Sequence, residues 1–358
     1  MQTTIQTNVA STDTADDLWG GRQLIDALQA KAREILDSFI PANVSIALLD
    51  YPNNPNVGDS LIWLGEIAYL NSRNIKPSYV CDVRNYNANI LSKAICKDSI
   101  ILLQGGGNFG TLWPEVHEFR LRVLSDFPNN RVIQLPQSIH FDNLSAIQET
   151  AKAVSDHKNF TLLVRDQPSF DFASKYFECK VVLCPDMAFF IGAINSKPSP
   201  SLDRFILSRT DHEKNNNWVN DLPTVKKNYK VAYSDWLQAS WHERIVGRIE
   251  RHTAWIRKVV DPHNQTLLLL WTHLAKLRLN RGKGLLEEGR VIISDRLHVH
   301  ILSILLNKPH VLIDNANKKI SSLHEAWTKQ YLGVNFVKNI KEAFSAADRF
   351  DSISDKRR

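Results

Sequence analysis

Apolar positions along this chain follow two alternating rhythms. Short continuous runs such as NVSIALLD (43–50), SIILL (99–103), FTLLV (160–164) and VIIS (291–294) have the length and β-branching of strands buried on both faces. Between them lie longer stretches with apolar residues at helical spacing, beginning with RQLIDALQAKAREILDSFI (22–40), which stops before Pro41. The rhythm recurs as LIWLGEIAYLNSRN after the first strand, WPEVHEFRLRVLSDF after SIILLQGGGNFG, LSAIQETAKAVSDH after RVIQLPQSIHF, and DFASKYF after FTLLVRDQPSF. Strands that alternate with helices predict parallel sheets covered on both faces. A Pro and Ser stretch, NSKPSPSL (195–202), then separates this series from a second one that opens with RFILSRTDHE and closes with GRVIISDRLHVHILSILLNKPHVLID. The expectation is an α/β chain of two Rossmann-like, doubly wound domains facing across a cleft. A flexible N-terminal tail would occupy 1–21, one α/β domain 22–197 and a second 202–350.

Composition narrows the class. With 358 residues and 43% hydrophobic content the chain can fill two ordinary cores. Its apolar runs fall well short of the ~18 residues of a membrane span, and the polar N-terminus lacks the pattern of a signal peptide. The expected location is the cytoplasm. Cys81, Cys96, Cys179 and Cys184 show no CxxC spacing, so buried thiols are expected rather than a zinc site or a disulfide framework. A formal charge of +6 favours anionic partners.

Ligands of doubly wound folds sit at the carboxyl ends of strands, and polar residues gather at those ends here. QGGGNFG (104–110) reads as a loop whose successive backbone N–H groups could cradle an anion, through Gly105, Gly106, Gly107 and Asn108. Asp59 lies near the N-cap of a helix, where capping alone would account for it. His140 ends one strand, Arg165 and Asp166 end another, and Asp186 ends a fifth. In the second half, SDRLHVH (294–300) offers Arg296 as a bidentate anion ligand and His298 as a proton donor, with Asp295 as the group that would orient Arg296. His298 and His300 are two apart and face different ways on a helix, so no metal is expected.

Seven blocks taken in order, YPNNPNVGDSLIWLGE, LLQGGGNFGTLWP, VIQLPQSIHF, LLVRDQPSFDFA, LCPDMAFF, FILSRTDHE and ISDRLHVHILSILLNKPHVLIDN, resemble the polysaccharide pyruvyl transferases, most of all the bacterial exopolysaccharide branch. The likeness runs from about residue 45 to 330, without the tail or residues 215–285. It implies a fold similar to the glycosyltransferase B type. It also implies phosphoenolpyruvate as donor, a sugar of a polysaccharide or lipid-linked oligosaccharide as acceptor, and a pyruvate ketal as product. Phosphoenolpyruvate would be a co-substrate, with no other cofactor. By the same likeness Arg296, Leu297 and His298 bind the donor and Arg165 assists. His298 is then expected to protonate the donor, with Asp59 or His140 as base.

Two other readings remain in view. A nucleotide-sugar glycosyltransferase shares the architecture, although no carboxylate stands ready for ribose hydroxyls. A nucleic-acid-binding protein would fit the charge, yet no such module is visible, and no nucleic-acid partner is expected. Separately, the segment 236–290 mixes Trp and aliphatic residues with Arg and Lys, the composition of a peripheral contact with anionic lipid at the inner face of the plasma membrane. An ordinary solvated helix pair would account for it as well.

Overall fold

The computed structural model describes residues 17–196, 200–210, 218–225, 228–252, 261, 264–314 and 318–356. Burial on alternating sides organises the first sheet. Ile46, Leu48, Ile100 and Leu102 enter one apolar core, whereas Ala47, Leu49, Ile101 and Leu103 enter another, so both faces need helical cover. The sheet has seven parallel strands, β1 (Ile46–Leu49), β2 (Tyr79–Cys81), β3 (Ile100–Leu103), β4 (Gly106–Gly110), β5 (Arg131–His140), β6 (Phe160–Val164) and β7 (Lys180–Leu183). They run in the order β2-β1-β3-β5-β6-β7, with β4 also paired to β5. The second sheet, also parallel, runs β12 (Val334–Val337), β11 (His310–Ile313), β10 (Gly289–Ser294), β8 (Leu202–Leu207), β9 (Val231–Ser234). Both sheets reverse their winding beside their first strand, between β1 and β3 and between β8 and β10. Those two points are where ligand clefts open in such folds. The two Rossmann-like halves expected from the sequence are therefore present.

The helices are α1 (Gly21–Phe39), α2 (Val57–Ser72), α3 (Ala88–Ala94), α4 (Pro114–Asp126), α5 (Leu144–Asp156), α6 (Gln167–Tyr176), the single turn α7 (Leu222–Val225), α8 (Trp241–His252), α9 (Gln265–Glu288), α10 (Leu297–Leu305), α11 (Lys319–Leu323) and α12 (Ile340–Lys356). Two of them ignore the division into halves. Helix α1 puts Leu24, Ile25 and Leu28 into the core of the second sheet and Ala32, Ile35 and Leu36 into that of the first. Helix α9 does the reverse, with Leu267, Trp271 and Leu274 in the first core and Leu286 in the second. These cross-pieces tie the halves together.

Three expectations change. The QGGGNFG segment is not a loop, because Gly106–Gly110 extends the sheet as β4. Glycine makes this extension feasible: Gly110 has φ 108°, and a Cβ there would lie 2.0 Å from the His140 carbonyl oxygen. The tail expected over 1–21 lies outside the described residues up to 16. From Asp17 onward it is packed, with Trp19 buried edge-on against Phe350 at 5.3 Å and its carbonyl accepting from the Leu332 N–H. Of the cysteines, Cys81 and Cys184 are buried, but Cys96 is exposed. Part of the basic, Trp-containing segment (253–260 and 262–263) and of the expected linker (197–199) also lies outside the described residues. No described helix is long and apolar enough to cross a membrane.

Candidate functional site

The loop that leaves β1 turns into α2 with Asn56 as N-cap, its Oδ1 accepting from the Gly58 N–H at 3.0 Å. Asn56 takes the capping role that the sequence offered to Asp59. Asp59 sits in the first turn, where Asn54 and Asn56 each donate a side-chain N–H to its Oδ2, at 3.1 and 3.2 Å. The preceding residue, Gly58, lies flat against His298 from the other half. A Cβ at position 58 would come within 2.6 Å of His298 Nδ1 and 2.8 Å of its Cγ.

The end of β3 is less open to an anion than its glycines imply. The Gly105 N–H donates to Glu66 Oε1 at 2.9 Å and the Asn108 N–H to Gln137 Oε1 at 3.2 Å, so neither is available as part of a cradle. The Asn108 side-chain oxygen is taken by Arg120 and Gln137, at 2.7 and 2.9 Å. Beneath them lies a buried polar layer. Burial pushes the Asp50 carboxyl up to about 7 despite Arg120 at 2.7 Å. Burial also pushes Glu66 well above the usual carboxylate range, opposed by the Gly105 N–H. Within the segment, Gly107 and Asn108 line the cavity described below, and Gly105 and Gly106 do not.

Arg165, at the end of β6, is buried and paired with Asp186 at 2.6 Å, while its Nε donates to Ser138 Oγ at 2.9 Å. Asp186 also accepts from the Ala188 N–H at 2.8 Å, and its Oδ2 lies 3.6 Å from His298 Nε2. Burial acts to raise the Asp186 carboxyl. The His298 contact, the Arg165 charge and the Ala188 N–H outweigh it and hold Asp186 below the usual range. His298 Nε2 is itself buried, with no hydrogen-bond partner among the described residues. Asp166 beside Arg165 is structural, capping α6 through the Ser169 N–H at 2.9 Å.

The second half contributes from its own switch point. Arg296 stands at the N-terminal boundary of α10 without capping it through its side chain, and is buried, paired with Asp235 at 2.5 Å and lying 5.8 Å from the centre of the Trp236 ring. The orienting carboxylate expected in Asp295 is thus supplied by Asp235, at the end of β9. Asp295 turns instead to the Arg209 N–H at 2.9 Å and Trp218 Nε1 at 3.1 Å. Burial raises the Asp295 carboxyl above its ordinary value, opposed by those donors. Lys319, at the start of α11, reaches across the cleft to the Gly107 carbonyl at 3.4 Å.

These groups meet in a cavity of about 360 Å³ between the halves, large enough for a small ligand. Of the residues singled out from the sequence, Asp59, Gly107, Asn108, Arg165, Arg296, Leu297 and His298 line it. His140 does not. It ends β5 beside Gly110, and its carbonyl accepts from the Thr111 N–H at 2.9 Å. The lining also includes Arg209 and Lys319, which the sequence reading passed over. Arg209 lies two residues past the end of β8 and would have been found by the same strand-end rule. A larger space of about 960 Å³ lies elsewhere, between the start of α1 and α12. It contains none of these strand-end groups. His300 faces away from the cavity into a buried chain with His310 at 2.7 Å and Thr328 at 2.7 Å. Among the described residues no three His, Cys, Asp or Glu side chains cluster as a metal ion would require.

Comparison with known proteins places this geometry in context. A family model described as polysaccharide pyruvyl transferase matches residues 56–317. Pyruvyl transferase 1 of Schizosaccharomyces pombe is 31% identical over 293 residues, covering 79% of this chain and 69% of that protein. The Bacillus subtilis protein EpsO is 29% identical over 305 residues, covering 84% of this chain and 90% of its own length. Among solved structures, an uncharacterised protein of Klebsiella pneumoniae shares the fold with a TM-score of 0.56 at 19% identity, over 87% of this chain and 98% of that one.

Proposed function

The chain belongs to the polysaccharide pyruvyl transferase family, and from that premise we propose that it transfers pyruvate from phosphoenolpyruvate to a sugar of an exopolysaccharide or its lipid-linked repeat unit. The observation that carries the reading is the meeting of Arg165 from one half with Arg296 and Lys319 from the other in a single small cavity. Phosphoenolpyruvate holds a phosphate and a carboxylate a few bonds apart, so it needs several cations arriving from different directions. Binding between the halves would draw them together and exclude water.

The reaction is redox-neutral. A proton adds to the enol methylene, and a sugar hydroxyl attacks the resulting cationic carbon while its proton passes to a base. The bond from that carbon to the phosphate oxygen breaks. A second hydroxyl then closes the ketal, and its proton leaves with the phosphate or restores the acid. In this reading His298 is the acid, with the buried Asp186 carboxylate facing its ring. Asp59 is favoured over His140 as the base, because Asp59 lines the cavity. Leu297, Gly107 and Asn108 would bound the donor pocket. The donor is a charged metabolite of the cytoplasm, and the reading assigns the enzyme to that compartment.

Calorimetric titration of phosphoenolpyruvate into the wild type and Arg296→Ala tests the proposal. The variant should lose affinity by ~10- to 100-fold, the usual weight of a buried charge-assisted contact. A folded wild type that binds no phosphoenolpyruvate, with or without candidate glycans, would overturn it.

A further inference from the structure

Helix α8 directs its two carboxylates inward. Glu243 and Glu250, seven residues apart and so on one face, are 4% and 6% exposed. Glu243 pairs with Arg281 at 2.7 Å, and Glu250 accepts from Trp271 Nε1 at 3.2 Å and Asn53 Nδ2 at 3.0 Å. Surface helices ordinarily show their acids to water. Here the inward turn leaves an outer face of Trp241, Arg244, Arg248, Ile249 and Arg251, flanked by His242 and His252, with no acid exposed.

The same contacts set α8 antiparallel to α9, with 243 beside 281 and 250 beside 271. On α9, Leu269, His273 and Lys276 are exposed as well. Trp241 and Leu269 are about as exposed as any large apolar side chain among the described residues, at 68% and 72%, and Ile249 is half exposed.

We propose that this α8–α9 face binds an anionic lipid surface. Long basic side chains interspersed with a tryptophan and aliphatics on this helix pair match a charged headgroup layer over an apolar interior. Among its described residues the face shows no row of stacked rings for single-stranded nucleic acid. Its reverse side adjoins the candidate site. Arg281 donates to the Pro55 carbonyl at 2.7 Å and also to the Trp236 carbonyl, and both of those residues line the cavity. Arg281 thus links Glu243 of α8 to two residues of the cavity wall. The inference stands on surface chemistry and does not depend on pyruvyl transfer.

Sedimentation of the full chain with phosphatidylcholine vesicles, with and without phosphatidylglycerol, tests it. Partitioning is expected onto the anionic vesicles alone and is expected to fall as salt rises. The triple variant Arg248→Gln, Arg251→Gln, Lys276→Gln should partition on the order of 100-fold more weakly, about fivefold for each charge. Its melting temperature and phosphoenolpyruvate titration should match the wild type, since none of the three lines the cavity. Trp241→Ala should weaken partitioning without changing its salt dependence. No partitioning at low salt, equal partitioning onto neutral vesicles, or an unaffected triple variant would each overturn the proposal. So would tighter binding to a duplex oligonucleotide than to the anionic vesicles.

Discussion

Gly58→Ala probes how tightly the candidate site depends on contact between the two halves. The new Cβ would lie 2.6, 2.8 and 3.0 Å from Nδ1, Cγ and Cβ of His298, where unstrained carbon contacts begin near ~3.5 Å. The imidazole must therefore move by about 1 Å, and crowding at its Cβ means that a turn about χ1 alone cannot relieve all three contacts. On the far side stands Asp186, 3.6 Å from Nε2. A reacting group displaced by about 1 Å typically costs ~100-fold in rate. For stability, alanine favours the helix by up to ~1 kcal/mol over glycine, while overpacking costs about 1–3 kcal/mol, for a net loss of at most ~3 kcal/mol. The assay is acceptor-dependent phosphate release from phosphoenolpyruvate, followed as kcat/KM beside thermal unfolding. In a His298→Ala background the ring contacts at 2.6 and 2.8 Å are gone and only the approach to Cβ remains, so the cost of Gly58→Ala should fall sharply there. A Gly58→Ala enzyme with wild-type kcat/KM, or an equal cost in both backgrounds, would refute the argument.

Asp186→Asn should destabilise the fold by ~3 kcal/mol in denaturant titration, because it leaves the buried Arg165 without its counter-charge; a loss below ~1 kcal/mol would count against the pairing. His117 gives a pH prediction. Its Nδ1 accepts from the Gly110 N–H at 3.1 Å and its Nε2 donates to Thr150 at 2.8 Å, while burial and the Arg120 charge hold its pKa at about 4. Between ~6.5 and that value the unfolded chain binds the extra proton. The contribution is thus complete above ~6.5 and shrinks as the pH falls toward 4, by ~1.4 kcal/mol per pH unit. His117→Gln should remove about one proton from the pH dependence of stability over that window, and an identical dependence in both proteins would exclude the assignment.

Much of the site was legible in the sequence because strands buried on both faces leave a continuous apolar signal, and the residue just past such a run is the one a cleft receives. Arg165, Arg296 and His298 were singled out in that way and line the cavity, as does Asp59 from the turn into α2, while Asp186 pairs with Arg165. Arg209 obeyed the same rule and was overlooked. Asp235 was hidden for a physical reason: its strand, VAYS, is half exposed along its length and carries no apolar run to announce it. The glycine segment misled in the opposite sense. Without side chains it looks like a loop, but it pairs with β5 as a strand, and the side chains of Glu66 and Gln137 take the Gly105 and Asn108 N–H groups an anion would need.

The sequence by itself determined the succession of strands and helices, the two-sided burial of the sheets and the chemistry at each strand end, since these depend on local periodicity and on residues adjacent in the chain. The tertiary structure alone decided which ends face one another. Arg296 meets Asp235 across 61 positions and Lys319 reaches Gly107 across 212. Such pairings depend on strand order and on how α1 and α9 clamp the halves together, and their energy comes from packing between segments whose separation in the chain leaves no periodic trace.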